Sequence, residues 1–225
     1  MVTATLEKPQ NLTYPQWKNA TWSEYLAIVE NPNLEDVRVF YNEGELWIDM
    51  GYEGPLHAIY NDLFTMIFLL WFARHPEQSF DSESMSGCVI AKPNQKGVSP
   101  DKILYVGGNT PKLKPGEPRR IDLDKWRVPD LVAEISDTTL AIDLDEKKQI
   151  YADLGIREYW VIDIKGNQVI AFILQENGNY QQCEQSTVLS GLPIDLLEQT
   201  LTQLEQTNNF RAALWLAEKI AQLDL

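Results

Sequence analysis

Apolar and polar residues recur along this chain at two periods, about two and about 3.6, and the changes between them mark its elements. Residues 37–50, V-R-V-F-Y-N-E-G-E-L-W-I-D-M, predict two strands around an Asn-Glu-Gly turn. Residues 57–74 predict a long helix with Ile59, Leu63, Met66, Ile67, Leu70 and Trp71 on its apolar side. Short strands follow near 88–92 and 101–106, then a Gly/Pro-rich loop, G-G-N-T-P-K-L-K-P-G-E-P. A strand over 131–136, a helix over 143–154 and a strand over 159–163 come next. Strands over 168–174 and 179–184 follow, and from Ile194 the chain predicts a helical tail with Phe210, Ala213, Leu214, Ala217 and Ile220 on one face.

Thr21-x-x-Glu24 is a capping box that opens a short helix ending near Asn31-Pro32. Residues 1–20, with Pro9 and Pro15, predict an irregular arm. The alternation of strands and helices implies an α/β (α+β) fold, a mixed sheet flanked by helices, in one domain over 21–197 with a helical extension over 198–225.

Three charged residues break this pattern. Strand 131–136 turns Leu131, Ala133 and Ile135 to one face and Val132, Glu134 and Ser136 to the other, so Glu134 is the odd residue of an apolar strand. A buried carboxylate needs a partner, a cation or a raised pKa. A strand-end Glu that pairs with a nearby lysine is the plainer alternative. Lys147 shares a helical stripe with Ile150, Tyr151 and Leu154. It either snorkels outward or meets a carboxylate, Asp143 one turn earlier or Glu134 across the sheet. Asp101 follows Pro100 at a strand start and shares a face with Ile103 and Tyr105. Alone it reads as a turn residue. Two acids from separate strands plus one lysine form the smallest set for metal-assisted cleavage of a phosphodiester. Tyr151 and Trp160 read as core, and His57 is a lone histidine that either packs or lines the site.

Composition narrows the class. The apolar fraction of 44% and aromatic fraction of 10% belong to a folded globular chain. The start, M-V-T-A-T-L-E-K-P-Q, lacks a basic segment followed by an apolar core, so no signal peptide is expected. The longest apolar stretch, near 59–73, is interrupted by Asn61 and Asp62 and predicts a core helix rather than a membrane span. Cys88 and Cys183 are isolated, which argues against a zinc site or a disulfide framework and fits a cytoplasmic protein. The net charge of −14 opposes nucleic-acid binding, yet residues 92–127 hold nine basic against four acidic residues. That window is +5 and the remainder −19, with the basic stretch lying between the two candidate strands; a solvated loop is the plainer reading.

S-P-D-K-I-L-Y-V (99–106), V-P-D-L-V-A-E-I-S (128–136) and D-x-x-x-K-x-x-x-Y-x-x-x-G-I-x-E-Y-W-V-I-D (143–163) together resemble the Uma-two family of putative restriction endonucleases, within the PD-(D/E)xK nuclease superfamily. The hairpin E-G-E-L-W-I-D-M followed by His57 fits as well, and the match spans about 40 to 197. The resemblance implies a restriction-endonuclease-like core with a helical C-terminal tail. It implies Asp101 and Glu134 as ligands of Mg²⁺ (Mn²⁺ as the alternative), with the Ile135 carbonyl completing the set, and Lys147 as the catalytic lysine. The superfamily's commonest lysine position is held here by Ser136, an auxiliary candidate with His57 and Asp143. The chain departs from the family pattern at Phe40, where an acid is usual, and at Ser99, where an arginine is usual.

The expected activity is hydrolysis of phosphodiester bonds in nucleic acid, DNA first, by a homodimer with no membrane contact. A catalytically weakened fold used as a binding or assembly module is the alternative. A small-molecule α/β enzyme finds no G-x-G-x-x-G, G-x-x-x-x-G-K-[ST] or G-x-S-x-G here.

Overall fold

The computed structural model describes residues 16–31, 34, 37–50, 53–79, 81–118 and 120–223, so most of the arm lies outside the described residues. The chain runs β1 (Gln16–Asn19), α1 (Trp22–Val29), β2 (Val37–Asn42), β3 (Glu45–Met50), α2 (Pro55–Arg74) and α3 (Pro76–Ser79). It continues through β4 (Glu83–Ser86), β5 (Val89–Lys92), β6 (Lys96–Val98), β7 (Lys102–Tyr105), β8 (Arg120–Asp122) and β9 (Leu131–Ser136). Then come α4 (Leu140–Leu144), α5 (Glu146–Asp153), β10 (Glu158–Asp163), β11 (Gln168–Leu174), β12 (Tyr180–Gln182), α6 (Ile194–Gln206) and α7 (Asn209–Ile220).

Local chemistry sets the boundaries. Thr21 and Glu24 close the expected capping box on α1. Glu43 and Gly44, both at positive φ (47° and 98°), form the two-residue turn between β2 and β3. Gly54 and Pro55 start α2, the proline at a position whose N–H would have no helical partner.

The fold is mixed α/β as expected, but its strands divide into two sheets, ordered β1-β3-β2-β6-β5-β8 and β12-β11-β10-β9-β7-β4. β9 is central in the second sheet, parallel to β10 and antiparallel to β7. The expected alternation along β9 holds. Leu131, Ala133 and Ile135 pack with Trp160, α2, α6 and α7, while Val132 joins Ile103, Tyr105, Ile150, Tyr151 and residues Phe40, Trp47 and Ile90 of the first sheet. A smaller cluster holds Tyr25 of α1 on the first sheet, where a Cβ at Gly97 would overlap the Tyr25 ring.

Several expectations shift. The seam of α2 is His57, Tyr60, Leu63, Phe64, Ile67, Phe68 and Trp71, while Ile59 is exposed, because the helix lies between sheet and α7 and rotates its aromatic residues inward. By length and composition α2 could cross a membrane, but here that seam lies in the core. On α7 the buried face is Ala212, Ala213, Leu216 and Ile220, and Phe210 and Leu214 point outward: small residues let α7 approach α2 closely. The helix expected over 143–154 is two, broken at Asp145. Four short strands, β1, β4, β6 and β8, carried too few residues for a period to be read. The boundary expected at 197 falls inside α6, whose Leu196, Leu197, Leu201 and Leu204 are buried in the main core.

Candidate active site

β7 and β9 bring the first two acids together. Lys102 pairs with Ala133 and Ile103 with Val132, so the register continued by one residue sets Asp101 level with Glu134. Asp101 Oδ2 accepts a hydrogen bond from the Ile135 N–H at 2.6 Å, which clamps the carboxylate to the strand that carries Glu134. Both acids are buried, Glu134 at 2% exposure.

Lys147 reaches this face from α5. Its Nζ lies 2.9 Å from Glu134 Oε2 and 3.0 Å from Asp143 Oδ1. Both pairings open to the sequence are therefore present at once, and neither is on a solvated edge: Asp143 is 1% exposed. Thr139 Oγ1 donates to Asp143 Oδ2 at 2.6 Å, and Tyr159 Oη donates to the Asp143 carbonyl at 2.8 Å, so α4 presents Asp143 in one orientation. Tyr151 Oη donates to Glu134 Oε1, which gives a residue read as core a second role, holding the carboxylate. Ser136, on the same face of β9 as Glu134, is buried with no hydrogen-bond partner for its hydroxyl among the described residues.

His57, at the start of α2, sits 3% exposed between two carboxylates. Its Nε2 is 3.0 Å from Asp101 Oδ2 and its Nδ1 is 3.1 Å from Glu53 Oε2. Glu53 gave no sequence signal of its own, although it stands four residues before His57, a spacing that juxtaposes side chains at a helix start.

The charges are strongly coupled. Burial pushes the Glu134 carboxyl up to about 8, against the pull of Lys147, and the neighbouring Asp101 and Asp143 carboxylates add to the rise. Burial opposes the charge on Lys147, but Glu134, Asp143 and Asp101 outweigh it and hold the ammonium protonated. Asp101 is lifted by burial and drawn back below its ordinary value by His57, Lys147 and the Ile135 N–H. His57 is lowered by burial and raised further by Asp101 and Glu53, for a net rise.

The donor set suits a hard divalent ion. Two adjacent buried carboxylates, one with a raised pKa, are an arrangement that a cation would relieve, and oxygen ligands match Mg²⁺ and Mn²⁺. Glu53, His57 and Asp101 also bring one ligand atom each within 4.8 Å of one another.

Phe40 is buried edge-on to Trp17 (ring centroids 5.3 Å) and stacked on Trp47 (5.8 Å), so an aromatic cluster occupies the place of the usual acid. Ser99 is half-buried just before Pro100. Most of the basic window is internally paired: of its eight described basic residues, six, Lys92, Lys96, Lys112, Arg120, Lys125 and Arg127, have a carboxylate within ion-pair distance. Lys102 is buried on the opposite face of β7 from Asp101 and donates to Thr65 and, at 2.9 Å, to Ser86.

The profile of the Uma2 family, described as "Putative restriction endonuclease", matches residues 22–208. No curated protein matches the chain. Among solved structures, a putative nuclease belonging to DUF820 from Anabaena variabilis aligns with a TM-score of 0.55 at 17% identity, over 81% of this chain and 99% of that one. That likeness carries the fold.

Proposed function

This chain belongs to the Uma2 putative restriction endonuclease family, and on that premise we propose that it is a metal-dependent endonuclease hydrolysing phosphodiester bonds of DNA. One observation supports this above the others: the buried Glu134, level with Asp101 on the neighbouring strand, meets the ammonium of Lys147 at 2.9 Å. A fold gains no stability from burying several charges that apolar side chains could replace, so such a cluster calls for a chemical reason.

Asp101 and Glu134 would hold Mg²⁺ or Mn²⁺, with the Ile135 carbonyl as a third oxygen donor. When bound, such an ion polarises a phosphoryl oxygen and acidifies a water. The protein's own groups do the rest. Asp143 and Glu134 fix the Lys147 ammonium, which sets a positive charge beside the acids where negative charge grows on the phosphate. Tyr151 orients Glu134 through its hydroxyl. Ser136 offers a buried hydroxyl, without a partner among the described residues, to a water or phosphate oxygen.

The net charge of −14 and the mostly paired basic window predict weak DNA binding by one chain, which fits a homodimer or a partner that contributes DNA contacts. A second reading, a catalytically weakened fold serving as a binding module, draws on Phe40, which fills the auxiliary acid's place with an aromatic cluster.

The test is calorimetric titration of Mg²⁺ and Mn²⁺ into the wild type, Asp101→Asn and Glu134→Gln. Binding lost in both variants is the expected outcome. Equal binding in all three would overturn the assignment of these acids, and no binding in the wild type would favour the second reading.

A further inference from the structure

We infer that His57 is a nitrogen ligand of the divalent ion at this site, adjacent to Asp101 and oriented by Glu53, and that the site therefore selects Mn²⁺ over Mg²⁺. This rests on the metal-dependent reading above and specifies its ion.

The imidazole is 3% exposed, and among the described residues neither ring nitrogen makes a well-angled hydrogen bond. Yet both face carboxylate oxygens, Nε2 at 3.0 Å from Asp101 Oδ2 and Nδ1 at 3.1 Å from Glu53 Oε2. A buried histidine without directed hydrogen bonds is costly unless something else uses its nitrogens. A shared ion explains the Nε2 contact. Two neighbouring ligands of an octahedral ion, each about 2.1 Å from it, lie about 3.0 Å apart, with the ion off the line between them. The Nε2–Oδ2 separation is that edge. Glu53 then takes the outer role that carboxylates commonly play, facing Nδ1 and fixing which nitrogen is free to bind.

The ligand chemistry follows. A site of carboxylates, carbonyl and water serves Mg²⁺ well, and an imidazole nitrogen shifts preference toward Mn²⁺ and later divalent ions. Glu53 is on the open side, with its side chain 45% exposed, so it can be changed without disturbing the core.

The experiment is pulsed electron paramagnetic resonance on Mn²⁺ bound to the full chain, with titrations of Mn²⁺ and Mg²⁺ alongside. The wild type is expected to show ¹⁴N modulation on bound Mn²⁺, absent in His57→Ala. Mn²⁺ affinity falls about tenfold or more in His57→Ala and in Glu53→Ala, the order seen when a ligand's orienting partner is removed, while Mg²⁺ affinity changes less than twofold. Should His57→Ala fold poorly, Glu53→Ala and the wild-type spectrum carry the test. Bound Mn²⁺ that depends on Glu134 but shows no ¹⁴N modulation overturns this inference and leaves the metal-site reading standing. Mn²⁺ that binds independently of Glu134, or not at all, overturns both.

Discussion

Replacing Lys147 by methionine removes one cation from between two buried acids. Its Nζ makes two contacts, 2.9 Å to Glu134 and 3.0 Å to Asp143, and those side chains are 3% and 1% exposed. A hydrogen bond to a charged group contributes about 1.5–3 kcal/mol, and breaking one side of a buried ion pair costs about 3–5 kcal/mol because the stranded charge stays buried. We expect about 3–5 kcal/mol, a large part of the 5–15 kcal/mol typical of a folded domain. Lys125→Met is the control: its side chain is 71% exposed and 3.7 Å from Asp122, so its loss costs less than about 1 kcal/mol. Equilibrium urea unfolding of both variants above about pH 8, where Glu134 has lost its proton, and without divalent ions measures the difference. The deficit of Lys147→Met shrinks at low pH, as the stranded carboxylates take up protons. It also shrinks in excess Mg²⁺, which restores positive charge. If the two variants unfold within about 1 kcal/mol of each other at a pH above about 8, where Glu134 is ionised, the buried network does not carry the energy assigned to it.

Other outcomes follow from the same contacts. Glu158 is fully buried and accepts from Trp160 Nε1 (2.7 Å) and from the N–H groups of Thr187 (2.9 Å) and Val188 (3.0 Å). Glu158→Ala leaves these donors without acceptors and should cost about 3 kcal/mol or more in urea unfolding. A chain ending at residue 197 loses Leu201, Leu204, Ala212, Leu216 and Ile220 from the main core and should give no cooperative melt by circular dichroism. Glu134 has its folded pKa raised from 4.5 to about 8. Its contribution to stability is present below the unfolded value near 4.5 and is lost as pH rises through about 8, and Glu134→Gln should flatten the profile between those limits. Because a bound ion must displace that proton, Mg²⁺ affinity should rise with pH up to about 8, by at most about tenfold per unit, in calorimetry.

The parts of the fold made of long apolar runs were legible in the chain. β9 is an apolar run broken by one carboxylate, and α2 is a 20-residue stretch apolar enough to stand out. The faces of α2 and α7 were not, because both helices carry apolar residues beyond the buried stripe; only packing decides that Ala212 and Leu216 go in while Phe210 and Leu214 stay out. β6 and β8 have three residues each, and pairing across the sheet defines them rather than any local pattern. Within the site, Glu134 and Lys147 were visible as charges in apolar surroundings, and Asp101 only in company with them, as an acid at a strand start. Glu53 and the Tyr151 hydroxyl were not. An exposed acid before a helix looks like any other, and a tyrosine on a buried stripe gives no sign of where its hydroxyl ends.

If Asp101, Glu134 and Lys147 form one hydrolytic site, cleavage of supercoiled plasmid by the wild type, Glu134→Gln and Lys147→Met, with Mn²⁺ and then with chelator, reveals it. The wild type is expected to nick with Mn²⁺ alone, and chelation or either substitution to abolish nicking. Nicking that persists in Glu134→Gln, or that ignores the chelator, rules out such a site.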